Sequence, residues 1–106
     1  FPVKLMRLLS DAESDGNEHI VSFTPSGHAF QVHKPNDFMR DVAAKYFRQK
    51  QFSSFTRQLN MYGFEKVNHG SDKSAFSHPD FQRGKPELCS RIVARIPEDY
   101  RSARAL

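Results

Sequence analysis

Phe52-Ser53-Ser54-Phe55-Thr56-Arg57-Gln58-Leu59-Asn60-Met61-Tyr62-Gly63-Phe64 is the stretch from which the fold of this chain can be read. At about 100° per residue, Phe52, Phe55, Leu59 and Tyr62 fall within about 80° of one another and form one apolar stripe along a helix. Arg57 lies close to the opposite direction, with Ser53, Ser54, Asn60 and Met61 around it. The stripe must be buried, so Arg57 is expected to face outward. Ser53 or Ser54 is placed to cap the helix start, and Gly63, which tolerates positive φ, is placed to end it.

Working upstream, Arg48-Gln49-Lys50-Gln51 is a polar, basic break. Before it, Phe38, Met39, Val42, Ala43, Tyr46 and Phe47 recur at helical spacing, which predicts a helix capped by Asn36 and running to about Phe47. Two helices joined by a short turn are the core of a helix-turn-helix. Further upstream, Pro2, Leu5, Met6 and Leu9 predict a first helix over Phe1 to Leu9, followed by a loop from Ser10 to Glu18. His19 to Phe23 and Ala29 to His33, separated by Thr24-Pro25-Ser26-Gly27-His28, predict a β-hairpin. Downstream, Phe64 to His69 and Ser74 to His78 flank Gly70-Ser71-Asp72-Lys73 and predict a second. Gly84-Lys85-Pro86 opens a last helix, with Leu88, Ile92, Val93 and Ile96 on its inner face and Pro97 as its stop. The tail, 97–106, reads as weakly ordered, which leaves one domain over 1–96.

The chain has 106 residues, 16 Lys plus Arg against 12 Asp plus Glu, and a formal net charge of +4. The charge is unevenly placed. Residues 1–42 carry four cations and six carboxylates, whereas 43–66 carry Lys45, Arg48, Lys50, Arg57 and Lys66 against Glu65 alone. An Arg flanked by Ser, Asn and Gln on an outward helix face suits base edges, because a guanidinium fork can donate twice to guanine O6 and N7. Arg48, Lys50 and Lys66 suit phosphate contacts on either side of that helix. The same face is also what the solvated side of any amphipathic helix looks like. The clustering of cations at this helix favours a nucleic acid.

Ser54-Phe55-Thr56-Arg57-Gln58-Leu59-Asn60-Met61-Tyr62-Gly63-Phe64 resembles the recognition helix of heat shock transcription factors. The resemblance extends through Phe1-Pro2-Val3-Lys4-Leu5, Phe23-Thr24-Pro25-Ser26-Gly27, Lys45-Tyr46-Phe47, Phe76-Ser77-His78-Pro79 and Phe81-Gln82-Arg83-Gly84. It implies an α+β winged helix-turn-helix, a three-helix bundle packed on a small four-stranded antiparallel sheet. It also implies a nuclear transcription regulator of the stress response that binds double-stranded DNA at inverted GAA repeats. In such a protein a coiled coil makes the full-length chain a homotrimer, and the isolated domain is expected to be a monomer. By the same match Arg57 reads the guanine of GAA. Arg48, Lys50, Ser53, Ser54, Gln58, Asn60, Tyr62, Lys66 and Arg83 are then the backbone or water-mediated contacts. The chain departs from the family pattern at Met6 and Phe23, where Trp is usual, and at Glu65, where a basic residue is common. Ala44 stands in place of a Pro in the second helix, which predicts a reduced kink there.

Other functions have little support in the residues. The five His and Cys89 show no C-x-x-C or H-x-x-x-H spacing, so no metal or other cofactor is expected. Without a Gly-rich phosphate loop or nucleophile elbow, an enzyme is not expected. One cysteine cannot form an internal disulfide, no apolar run approaches the roughly 18 residues of a membrane span, and no leader precedes the first helix. The expectation is therefore an intracellular chain without a membrane partner. A winged-helix module that binds another protein through the exposed helix and hairpin edge is the alternative reading.

Overall fold

Pro2 starts the first helix because its missing N–H falls where no intrahelical acceptor exists. In the computed structural model, which describes residues 1–68, 70 and 73–94, this helix is α1, Pro2–Ser14. It runs past Leu9 into the expected loop because Ala12 prolongs the stripe of Leu5, Leu8 and Leu9. All four side chains are buried, and nothing breaks the helix before Gly16, whose φ is +76°.

The first hairpin forms as the β-branched and aromatic residues predict, with β1 at Val21–Phe23 and β2 at Ala29–Val32. The strands pair antiparallel, Val21 opposite Val32 and Phe23 opposite Phe30. Gly27 closes the turn at φ +78°, and a Cβ there would sit 3.4 Å from Arg83 Cβ.

The second helix differs from its sequence pattern in two ways. Lys34, not Asn36, is the N-cap residue, no side chain caps the end, and Pro35 takes the first turn of α2, Pro35–Asp37. The chain then widens into a π turn, Phe38–Val42, with Ala43 N–H donating to Phe38 O, and tightens into a 3₁₀ turn, Ala43–Lys45. Phe38, Met39, Val42 and Ala43 are all buried, and a widened turn brings both adjacent pairs to the same side. Ala44 is exposed and does not restore a regular helix, so the irregularity expected to lessen without Pro persists.

After the third helix, α3 at Phe52–Met61, β3 (Glu65–Lys66) and β4 (Phe76–Ser77) form the second hairpin. The antiparallel sheet has the order β1-β2-β4-β3, with Phe30 opposite Phe76 and Lys66 opposite Phe76 on the other side. His69, Ser71 and Asp72 of the expected second turn lie outside the described residues, as do Ile96, Pro97 and the tail. The expected last α-helix is a 3₁₀ helix, Pro86–Arg91. Cys89 and Ile92 dock it against the core, the Cys89 thiol donates to Pro2 O at 3.8 Å, and Val93, expected to face inward, is 67% exposed.

The core lies between the helices and the sheet. Leu5, Leu8 and Leu9 of α1 meet Phe38, Phe55 and Leu59 from the helix-turn-helix and Phe30, Phe64 and Phe81 from the sheet side. Phe30 is its pivot, with ring centroids 6.1, 5.7 and 5.8 Å from Phe64, Phe76 and Phe81. Half-buried Phe23 fills the edge against Phe81 at 5.8 Å. The architecture is an α+β winged helix-turn-helix, and it leaves one face of α3 uncovered.

Candidate nucleic-acid interface

The helix that presents this face is held from its inner side. Phe55 and Leu59 are fully buried, and Phe52 and Tyr62 are half-buried at the ends of the stripe. Phe55 packs its ring 5.0 Å from Phe38 and 6.1 Å from Phe1, Phe47 and Phe52. Tyr62 stacks on Phe1 at 5.1 Å. These contacts fix the rotation of α3 and therefore the direction of Arg57.

The helix begins two residues earlier than a cap at Ser53 would set and three earlier than one at Ser54. Gln51 is the N-cap residue, its carbonyl accepts from Ser54 N–H and Phe55 N–H, and no side chain caps the end. Bringing Phe52 inside the helix lets its ring stack on Phe55, and both serines become first-turn residues with exposed side chains. At the other end Gly63 takes φ +84°, Gly63 N–H donates to Asn60 O and Phe64 N–H donates to Leu59 O, both at 3.0 Å. This is a Schellman closure, and it turns the chain directly into β3.

Arg57, Ser53, Ser54 and Asn60 are exposed on the outer face, with Met61 at 40% exposure beside them. Arg57 makes no hydrogen bond or ion pair among the described residues. The same holds for Arg48, Lys50 and Lys66, which are also exposed. The ion pairs lie elsewhere. Arg83 meets Glu13 at 2.9 Å, Arg40 meets Asp37 at 3.0 Å and Asp41 at 2.9 Å, and Arg7 reaches Asp11 at 4.0 Å. Hydrogen bonding to Arg40 holds the Asp41 carboxyl below its usual range, so this pair stays ionised and mutually occupied. The cations of 43–66 thus remain available to an outside anion.

The structure does not bring every expected residue to this face in the same state. Arg83 is turned toward the C-terminal part of α1, and its guanidinium is held by Glu13 through Nε and a second bond of 3.2 Å. Gln58 is half-buried, and its Oε1 accepts from Gln49 Nε2. Two residues that the sequence reading did not place at the site join the margin of the interface. Lys4 from α1 and Gln49 from the turn line a recess of about 550 Å³ together with Arg48, Gln58, Phe1 and Tyr46. No local pattern in the sequence signals this meeting, because it depends on how α1 crosses the turn. Tyr46 itself is turned inward, and its hydroxyl donates to Asp11 Oδ2. Burial, reinforced by that bond, pushes the phenol up to about 12.

Comparison with known proteins gives a consistent result. A family model described as HSF-type DNA-binding matches residues 1–95. Heat stress transcription factor A-4d of Oryza sativa subsp. japonica is 41% identical over 97 residues, which cover 92% of this chain and 20% of that protein. Heat shock factor protein 1 of Homo sapiens is 37% identical over 105 residues, covering 91% and 19%. The chain thus spans about a fifth of the length of these relatives. Among solved structures, Chaetomium thermophilum Skn7 with SSRE DNA aligns at a TM-score of 0.79 and 29% identity, over 90% of this chain and 98% of that one. A heat shock transcription factor in complex with DNA aligns at 0.54 and 36% identity, over 71% and 88%.

Proposed function

This chain belongs to the HSF-type DNA-binding family, and from that premise we propose that it binds double-stranded DNA bearing inverted GAA repeats through α3 in the major groove. The carrying observation is the Arg57 guanidinium, exposed, without a partner among the described residues, and opposite the buried Phe55 and Leu59. A planar fork in that position donates to guanine O6 and N7. Ser53, Ser54, Asn60, Gln58 and Tyr62 are the neighbouring polar contacts, and Arg48, Lys50 and Lys66 fix the register on the phosphates. Arg83 contributes less than its charge suggests, because Glu13 already holds it.

The wider protein is a nuclear regulator of transcription whose DNA-binding unit is residues 1–96, and it acts as a trimer. The isolated domain is a monomer. Similarity to a heat shock transcription factor solved with DNA supports the duplex as ligand, and the open cationic face supplies its chemistry. The family is one of DNA-binding domains rather than enzymes.

The test is a fluorescence anisotropy titration of a GAA inverted repeat against a scrambled duplex at two salt concentrations. Arg57→Ala is expected to weaken GAA binding by about 1–3 kcal/mol and to relax preference at the guanine. An unaltered ratio between the two duplexes would remove Arg57 as the base reader.

A further inference from the structure

Gln49 and Gln58 form an amide pair at the edge of the interface, with Gln49 Nε2 donating to Gln58 Oε1. The pair has a polarity. Gln58 Oε1 is occupied, whereas Gln58 Nε2 has no partner among the described residues and Gln49 Oε1 is buried without one. Rotating both amides would reverse the arrangement. It would bury the two donors of the Gln49 amide unpaired and leave the Gln58 carbonyl as the outward group. A lone buried carbonyl oxygen is better tolerated than buried unpaired N–H groups, so the packing favours the orientation that leaves the Gln58 NH₂ as the outward group.

The recess beside this pair is suited to an anion. Its lining of Phe1, Lys4, Tyr46, Phe47, Arg48, Gln49 and Gln58 includes two exposed cations and no carboxylate. Lys4 comes from α1, Arg48 and Gln49 from the turn, and Gln58 from α3, so three separate elements converge there.

We propose that this recess is a backbone phosphate seat in which Lys4 and Arg48 supply charge, Gln58 Nε2 supplies a directed hydrogen bond, and Gln49 is the positioning residue that orients Gln58. The inference rests on the duplex being the ligand, but not on sequence reading, because a phosphate contact is shared by all sequences. Gln49 acts only through Gln58. Its side chain therefore affects affinity without changing the number of charges at the interface.

The test uses the 106-residue chain, with thermal melts of every variant and anisotropy titrations on both GAA and scrambled duplexes. Gln58→Ala and Gln49→Leu are each expected to weaken binding to both duplexes by about tenfold, the size of one hydrogen bond to a charged oxygen. The double variant should be no weaker than either single one, and the salt slope should be unchanged. Gln49→His keeps a neutral donor at similar reach and should restore most of the affinity. Lys4→Ala should instead lower the salt slope by about 0.9. Replacing phosphates one at a time by uncharged methylphosphonates should reveal one position whose loss costs Gln49→Leu clearly less than it costs wild type, the remainder being the Lys4 and Arg48 charge contacts. Wild-type affinity in Gln49→Leu, multiplicative losses in the double variant, or a loss in Gln49→His as large as in Gln49→Leu would each overturn the proposal. Equal binding of wild type to the two duplexes would overturn the base-reading function instead and leave the phosphate comparison readable on either.

Discussion

Phe55 and Arg57 lie two residues apart on α3, and substituting each by Ala should have opposite consequences. Phe55 is fully buried, with four aromatic rings within about 6 Å, so Phe55→Ala removes most of a ring from a site whose neighbours come from several elements and cannot all close in. Large-to-small changes of this kind cost about 3–5 kcal/mol. That is a large part of the roughly 5–15 kcal/mol that holds a small domain together. With an unfolding entropy of about 2 cal/mol/K per residue, a domain of about 90 residues gives about 0.2 kcal/mol/K, and Tm should fall by about 15–25 °C. Arg57 is exposed and its side chain makes no hydrogen bond or ion pair among the described residues, so Arg57→Ala should change stability by no more than about 0.5 kcal/mol. Far-UV circular dichroism melts of the two variants, paired with duplex titrations well below Tm, give both readings. Phe55→Ala should retain the wild-type ratio of GAA to scrambled binding in its folded fraction, and Arg57→Ala should lose it. A loss of only a few degrees in Phe55→Ala, or an equal loss in Arg57→Ala, would show that the stripe does not orient the helix as argued.

Three other outcomes follow from single contacts. Gly63→Ala forces a Cβ into the left-handed region at φ +84° and should cost about 1–2 kcal/mol, read as a lower urea midpoint with an unchanged slope. Tyr46 has a folded pKa of about 12 against an ordinary value of 10.0, so its contribution to stability is complete below pH 10 and is lost as pH rises toward 12. Across that range the wild type should lose stability that Tyr46→Phe does not, and parallel pH curves would contradict the contact with Asp11. Arg48→Ala should lower the salt slope of DNA binding by about 0.9, whereas Arg83→Ala should lower it by clearly less, because Glu13 neutralises that guanidinium. Equal changes in the two slopes would mean that the Arg83–Glu13 pair opens on DNA.

The sequence made the inner and outer sides of α3 legible because Phe52, Phe55, Leu59 and Tyr62 repeat at the helical period and Arg57 lies opposite them among Ser53, Ser54 and Asn60. The hairpins were legible from their turn residues. The helix ends were not. Residue preference favours Ser at an N-cap, but the gain from stacking Phe52 on Phe55 draws Phe52 into the helix and leaves Gln51 at the end. The π turn was hidden as well. Phe38, Met39, Val42 and Ala43 span about 140° at the α period, a face that an α-helix and a widened turn can both bury, so their spacing carries no signal of the π turn. The last helix is short because docking Cys89 on α1 and Ile92 in the core requires only a 3₁₀ segment.

The charged residues show most clearly what sequence counting omits. A surplus of cations in 43–66 says where positive charge is dense, but a cation beside a carboxylate offers little to DNA. In the fold, Asp37 and Asp41 hold Arg40, and Glu13 holds Arg83 from the far end of α1, so the carboxylates neutralise cations outside the central stretch. Arg48, Lys50, Arg57 and Lys66 form no ion pair among the described residues, and Glu65 beside Lys66 is the only carboxylate in their own segment. Lys34, Lys73, Lys85 and Arg91 are likewise without an ion pair among the described residues, so the proposed face is set apart by both features together, unpaired cations and their position on α3 and the segments flanking it. Arg83, equally basic in the sequence and part of a family motif, falls on the other side of that division.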